Sequence, residues 1–197
     1  MSERDEGAGR AARSTRKDAQ RNKKALLDAA AAVFVTAGVD APVRAIAAEA
    51  GVGLGTIYRH FPTRADLIIA VYRHQVDACA EAGPQLLASS ATPYAALGRW
   101  IDLFVDFLVT KHGLAGVLQS DSAGFDALHA YFLDRLVPVC TRLLDAAADS
   151  GEITPGLRAY ELMRGVGNLC VGAESDPDYD ARRLVGLLIA GLGRTEG

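Results

Sequence analysis

The sequence predicts an all-α protein of about nine helices, with a small three-helix helix-turn-helix unit near the N-terminus and a larger helical body after it. Three observations predict this. Apolar residues recur at three- and four-residue spacing along most of the chain, and no run alternates apolar with polar residues over a useful strand length. The 35 alanines favour helix by intrinsic propensity.

Bulk properties narrow the class. With 197 residues, 50% hydrophobic and 23% charged, the chain can bury a full core and is not a disordered polymer. No apolar run approaches the roughly 18–20 residues of a membrane span, and the first 24 residues are too polar for a secretory signal. Cys79, Cys140 and Cys170 are odd in number, far apart and free of C-x-x-C spacing, so neither a disulfide framework nor a zinc knuckle is expected. The expected setting is the cytoplasm, without a membrane partner. Charge is distributed unevenly: residues 1–75 hold 12 Arg/Lys against 8 Asp/Glu, and the rest holds 9 against 16. A basic N-terminal segment on an acidic body suits a module for a polyanion joined to a part with another task.

The elements follow in order. Residues 1–17 have no apolar residue larger than Ala after Met1, and are expected to form a disordered basic arm. The first domain is expected over 18–75 and the second over 76–197. Leu26, Ala30, Val33, Phe34 and Ala37 form one helical stripe, which Gly38 ends. Pro42 suits the first turn of a short helix carrying Ile46, Ala47 and Ala50, and Gly51 stops it. After Gly51-Val52-Gly53, residues Leu54 to Phe61 form another short helix, with Leu54, Ile57 and Phe61 expected on its buried side. Thr63 is a good N-cap for a helix from Arg64 to roughly Ala82. The body contributes helices over 93–110, 114–119, 125–148, 157–171 and 181–192, the third of them expected to kink at Pro138.

Residues 42–64 carry the chemistry. Two short helices around a Gly-containing turn make a helix-turn-helix, which places its second helix in the major groove of DNA. If Leu54, Ile57 and Phe61 are buried, Gly55, Thr56 and Arg59 face outward, with Tyr58 and His60 on the flanks. Thr56 offers a hydroxyl and a methyl, Arg59 can fork onto guanine or phosphate, and Gly55 lets the backbone approach DNA closely. Arg44 and Arg64, each starting a helix, can bracket phosphates.

The stretch AIAAEAGVGLGTIYRHFPTRADL, preceded by ALLDAAAAVF, closely resembles the TetR-type family of bacterial helix-turn-helix transcriptional regulators over roughly Lys23 to Tyr72. The resemblance implies a homodimer whose recognition helices enter successive major grooves of a pseudopalindromic operator, and a helical C-terminal domain that binds a small-molecule effector and dimerises. It also implies a repressor rather than an enzyme, and DNA contacts at the positions of Thr56, Tyr58 and His60. One departure is Gly53, where the family often has Ser: Gly caps less well, by about a few tenths of a kcal/mol. Arg64 keeps the charge of the family's common Lys.

For the body, the family's last two helices imply a four-helix dimer interface. Met163, Val166, Leu169, Leu184, Val185 and Leu188 are the candidates, and Gly165 and Gly167 permit close approach. Ordinary intramolecular core is the alternative. Trp100, Phe104, Phe107, Phe125, His129 and Tyr131 supply an aromatic, moderately polar lining on helices the family places around its pocket, although such residues also make plain core.

Other chemistries fit poorly. Gly51-x-Gly53-x-Gly55 lacks the third glycine of a dinucleotide fingerprint, since position 56 is Thr. Asp176, Asp178 and Asp180 mimic a calcium loop, but Ala181 and Leu187 stand where its Gly and Glu belong. His74, His112 and His129 have no i,i+4 ligand partner, and no Ser lies in G-x-S-x-G, so no metal, cofactor or catalytic residue is expected. The competing class is a helical binding or enzymatic protein with a purely structural helix-turn-helix.

Overall fold

A computed structural model describes the backbone of residues 3–118, 122–171, 176 and 178–194, and the side chains of 20–108, 124, 126–171, 176 and 178–194. Its helices are α1 (Glu3–Ala37), α2 (Val43–Glu49), α3 (Leu54–His60), α4 (Arg64–Ser89), α5 (Pro93–Leu118), α6 (Ser122–Asp149), α7 (Ala159–Cys170) and α8 (Ala181–Ala190). No strand occurs among the described residues, and one isolated antiparallel bridge joins Ile153 to Gly193. The chain divides into two compact units, Met1–His74 and Gln75–Gly197, with the boundary inside α4.

Several bounds differ from expectation. The backbone is helical from Glu3, where an unstructured arm is expected over 1–17. The Ala, Arg, Lys and Glu of that stretch are good helix formers, so propensity extends the helix where no apolar stripe does. The separate helix at 114–119 is absent, because α5 continues through Gly113 to Leu118, and the described helices number eight. Likewise α4 passes through Pro84 to Ser89, and α6 passes through Pro138. A proline removes one N–H from the ladder. Buried neighbours (Gly83 and Leu86 on α4, Leu136 and Cys140 on α6) carry each helix across the gap.

In the first unit, α2 packs against α1 and α3. Leu26, Leu27, Ala30 and Phe34 from α1 bury with Ile46 and Ala47 from α2, Ile57 from α3, Phe61, and Leu67, Ile68 and Val71 from α4. Gly38 at φ +76 ends α1, and Gly51 at φ +64 makes the turn after α2. Both angles lie in the left-handed region that other residues adopt only at a cost. Thr63 and Asp66 cap α4 reciprocally: Thr63 donates from its N–H at 2.9 Å and its hydroxyl at 2.7 Å to Asp66 Oδ2, and Asp66 N–H donates to Thr63 Oγ1 at 3.1 Å.

In the second unit, α5 packs on α6, α7 and α8, and α7 on α6 and α8. Leu97, Trp100, Ile101, Phe104 and Val105 meet Leu136, Cys140 and Leu143, with Leu162, Met163, Val166, Val185 and Ile189 closing the core. Tyr94 ties this core to the C-terminal turn, donating its hydroxyl to the Ile189 carbonyl at 2.8 Å. Its N–H donates to Glu152 Oε2 at 3.1 Å.

Two tests follow from this packing. A Cβ placed on Gly83 lies 2.3 Å from Val139 Cγ1, a stiff β-branched side chain on α6. Overpacking costs about 1–3 kcal/mol and exceeds the roughly 1 kcal/mol of helix propensity that alanine adds. Gly83→Ala therefore lowers Tm, by about 2–4 °C per kcal/mol for a chain of this size. In a Val139→Ala background the same change raises Tm; a drop in both backgrounds contradicts the contact. The second test concerns acid. Hydrogen bonds from the Thr63 side chain and backbone hold the Asp66 carboxyl below its ordinary pKa. Its contribution to stability is thus complete above the unfolded value, about 3.9, and lost as pH falls through the lower folded value. The Tm gap between wild type and Asp66→Ala is expected at pH 7 and vanishes in strong acid, whereas a gap independent of pH rules out the cap.

Candidate nucleic-acid interface and effector site

The turn between α2 and α3 is tied back to α2. Gly51 N–H donates to the Ala48 carbonyl at 3.2 Å, and Val52 N–H to that of Ala47 at 3.0 Å. Val52 is half-buried in the corner. Gly53 caps α3 with no side-chain hydrogen bond, and Thr56 N–H donates to its carbonyl at 2.9 Å. Seven residues are too few for an autonomous helix. α3 is therefore held by the burial of Ile57 and Phe61, which are 1% and 4% exposed.

The outer surface of α3 consists of Leu54, Gly55, Tyr58, Arg59 and His60, all exposed, with Thr56 half-buried at its edge. Leu54 is a correction, since it is 45% exposed rather than buried. The seven-residue spacing to Phe61 misleads because Phe61, at φ −135 and ψ 87, has left the helix, so its burial does not follow the helical period. Arg59 and His60 occupy the last turn, where the Arg59 cation also favours the helix dipole. Arg44 is exposed on the first turn of α2. Lys23 lies over the Phe61 ring at 5.8 Å, and His74 Nε2 meets Asp28 Oδ1 at 2.6 Å, joining α4 to α1.

Arg64 also departs from expectation. It is half-buried, and its Nη2 donates to the Val39 carbonyl and, at 2.7 Å, to the Ala41 carbonyl. Its Nε is buried and makes no hydrogen bond. The Nη2 arm of the guanidinium is thus engaged by the α1–α2 loop, where the whole group is expected to face a phosphate. No local pattern reveals this, because the acceptors lie 23 and 25 residues away.

In the second unit the aromatic candidates form a stack. Trp100 and Phe104 lie 5.7 Å apart and nearly parallel, and Phe104 stacks on Phe107 at 6.5 Å. All three are buried, and Trp100 Nε1 donates to the Cys79 carbonyl at 2.9 Å. Phe132, absent from the sequence-based set, lies centrally, 5.9 Å from Phe104 and 5.8 Å from Phe107. Its place on the stripe Leu128, Phe132, Leu136, Cys140 is the signal that marks it. His129, exposed, stacks on Phe132 at 5.9 Å. Tyr131 donates to Asp77 Oδ1 at 2.7 Å, beside the Arg135 Nε donation to the same oxygen at 2.8 Å. Burial, then Asp77, raises the Tyr131 phenol pKa. The side chain of Phe125 lies outside the described residues. Among the described residues the cluster is a buried aromatic core with the exposed His129 stacked against it.

Buried thiols add no chemistry: burial pushes Cys79 and Cys140 up to about 12, so they are protonated at neutral pH. Among the described residues no group of three His, Cys, Asp or Glu side chains converges as a metal site requires. Asp180 Oδ1 accepts from Arg183 N–H at 2.9 Å, capping α8. No described helix is long and apolar enough to cross a membrane.

The interface candidates divide. Met163, Val166 and Val185 are 3%, 0% and 2% exposed within a single chain and belong to its own core, which corrects their assignment to a paired surface. Leu169 is half-buried. Leu184 and Leu188 are exposed, and Leu187 and Tyr160 are exposed with them. The helical period shows that a position is apolar but not which body covers it.

Comparison with known proteins accords with this geometry. Residues 26–71 match the bacterial regulatory proteins of the tetR family, and residues 92–194 match the SbtR-like transcriptional regulator C-terminal domain. An HTH-type transcriptional regulator of Staphylococcus aureus is 30% identical over 117 residues, which span 59% of this chain and only 62% of the relative. A TetR transcriptional regulator of Streptomyces coelicolor, at 36% identity, superposes with a TM-score of 0.73 over 88% of this chain and 99% of that one. A TetR regulator of Mycobacterium vanbaalenii, at 27% identity, gives 0.71 over 91% and 99%. All three are transcriptional regulators. The helix-turn-helix of α2 and α3, the helical second unit and these matches together show that the chain belongs to the tetR family of bacterial regulatory proteins.

Proposed function

We propose that the chain is a repressor that binds a pseudopalindromic operator as a homodimer and is released by a small-molecule inducer. The observation that carries this reading is the outer surface of α3, where Leu54, Gly55, Tyr58 and Arg59 stand exposed while Ile57 and Phe61 anchor the helix. In a major groove Arg59 can fork onto guanine, Leu54 can meet a thymine methyl, and Thr56, Tyr58 and His60 can reach phosphates. Arg44 adds a phosphate contact from α2. Supporting the dimer, Leu184, Leu187, Leu188 and Tyr160 leave apolar surface on α7 and α8 that a second copy would cover. The inducer would enter from the polar edge formed by His129 and Tyr131 and repack the aromatic core, so an apolar or amphipathic molecule fits best. A regulated duplex and a bound effector are coupled reciprocally, each weakening the other by the same factor.

The test is anisotropy titration of a labelled duplex from the DNA upstream of the chain's own gene, repeated across salt concentrations. Specific binding with a log K that falls steeply in log salt is expected; affinity no greater than for scrambled DNA rejects the reading. Arg59→Ala should cost about 1–3 kcal/mol for the operator while leaving helicity intact. If it weakens every sequence equally and lowers the salt slope by about 1.8 per dimer, the contact is phosphate and not base. For the dimer, the pair Leu184→Glu and Leu188→Glu is expected to give a folded monomer by sedimentation, with operator affinity lost. A dimer that persists at micromolar concentration places the interface elsewhere.

A further inference from the structure

We infer that Arg64 is a positioning residue: its guanidinium fixes the start of α2, and with it Arg44, against the corner between α3 and α4. The inference rests on the DNA-binding reading above. Its basis is the α1–α2 connection. α1 ends at Gly38, and α2 begins after Pro42, which lacks an N–H and gives the helix no side-chain cap. Within that loop Ala41 N–H donates to the Gly38 carbonyl at 3.1 Å. Val39 and Ala41 are 7% and 3% exposed, so their carbonyls need a donor within the protein. Arg64 Nη2 supplies it to both.

The anchor itself is rigid. Arg64 is the first residue of α4, directly after Thr63, which is locked by its reciprocal bonds with Asp66. α3 ends three residues before Thr63, at His60. One guanidinium thus ties the approach to α2 to the exit from α3. Moving Nη2 onto a phosphate would strand two buried carbonyls, which favours the internal role for that arm.

The prediction concerns Arg44, exposed on the first turn of α2. Operator affinity and salt slope are measured for wild type, Arg44→Ala, Arg64→Ala, Arg64→Lys and the double alanine variant, below each melting temperature and with helicity checked. Arg64→Ala is expected to weaken binding about tenfold, within the range of one lost contact. In the Arg44→Ala background the same change should have little further effect on affinity or slope, because Arg64 acts through Arg44. Arg64→Lys keeps the charge but loses the planar fork, so it should bind severalfold more weakly than wild type. A direct phosphate role gives the opposite pattern: additive losses, a further slope decrease of about 1.8 per dimer, and a lysine variant equal to wild type. Arg64→Ala that lowers only Tm overturns the inference as well, leaving Arg64 as packing. If wild type itself fails to prefer operator DNA, the DNA-binding reading has failed, which the wild-type arm reveals separately.

Discussion

α3 cannot support itself. A helix of seven residues has few internal hydrogen bonds against a costly nucleus, so its existence and its orientation depend on Ile57 and Phe61 entering the core that α1, α2 and α4 also supply. Each such apolar side chain contributes roughly 1.5–3 kcal/mol when fully buried. That one constraint determines the other side. With Ile57 inward, the residues left outside are Leu54, Gly55, Tyr58 and Arg59, and the surface offered to a partner is a consequence of the packing. The turn before the helix is fixed by Gly51 in the left-handed region, and the turn after it by the Thr63–Asp66 cap.

The second unit has the opposite balance. Its long helices bury an apolar interior, and the stacked rings of Trp100, Phe104, Phe107 and Phe132 lie within it. Protein interiors are in general close-packed, so a ligand that enters one displaces side chains. Displacement of that sort is how a small molecule can move helices, because packed interiors switch between arrangements more readily than they deform.

Much of this was legible in the sequence. The apolar period located most of the helices, though not the end of α5, and Gly38 and Gly51 located the turns; on α3, Gly55 and Arg59 stand outward as the stripe implies, while Thr56 is half-buried. Leu54 was misplaced because the period was extended to Phe61, a residue outside the helix. The role of Arg64 could not be read, since its partners are backbone carbonyls brought near only by the fold. On α7 and α8 the period marked Met163, Val166 and Val185 correctly as apolar, but single-chain burial claims them, leaving Leu184 and Leu188 with Leu187 and Tyr160 at the surface. Phe132 is legible on the stripe with Leu128 and Leu136, whereas its more polar neighbours His129 and Tyr131 lie off that stripe.

The proposed function requires two copies of α3 to occupy successive major grooves on one face of DNA. Hydroxyl-radical and methylation footprinting on the upstream DNA tests it most directly. Two protected half-sites related by a dyad, with centres about 34–36 Å or one helical turn apart and guanine N7 shielded in each, are predicted. A single protected site, half-sites out of helical phase, or protection confined to the minor groove would contradict it.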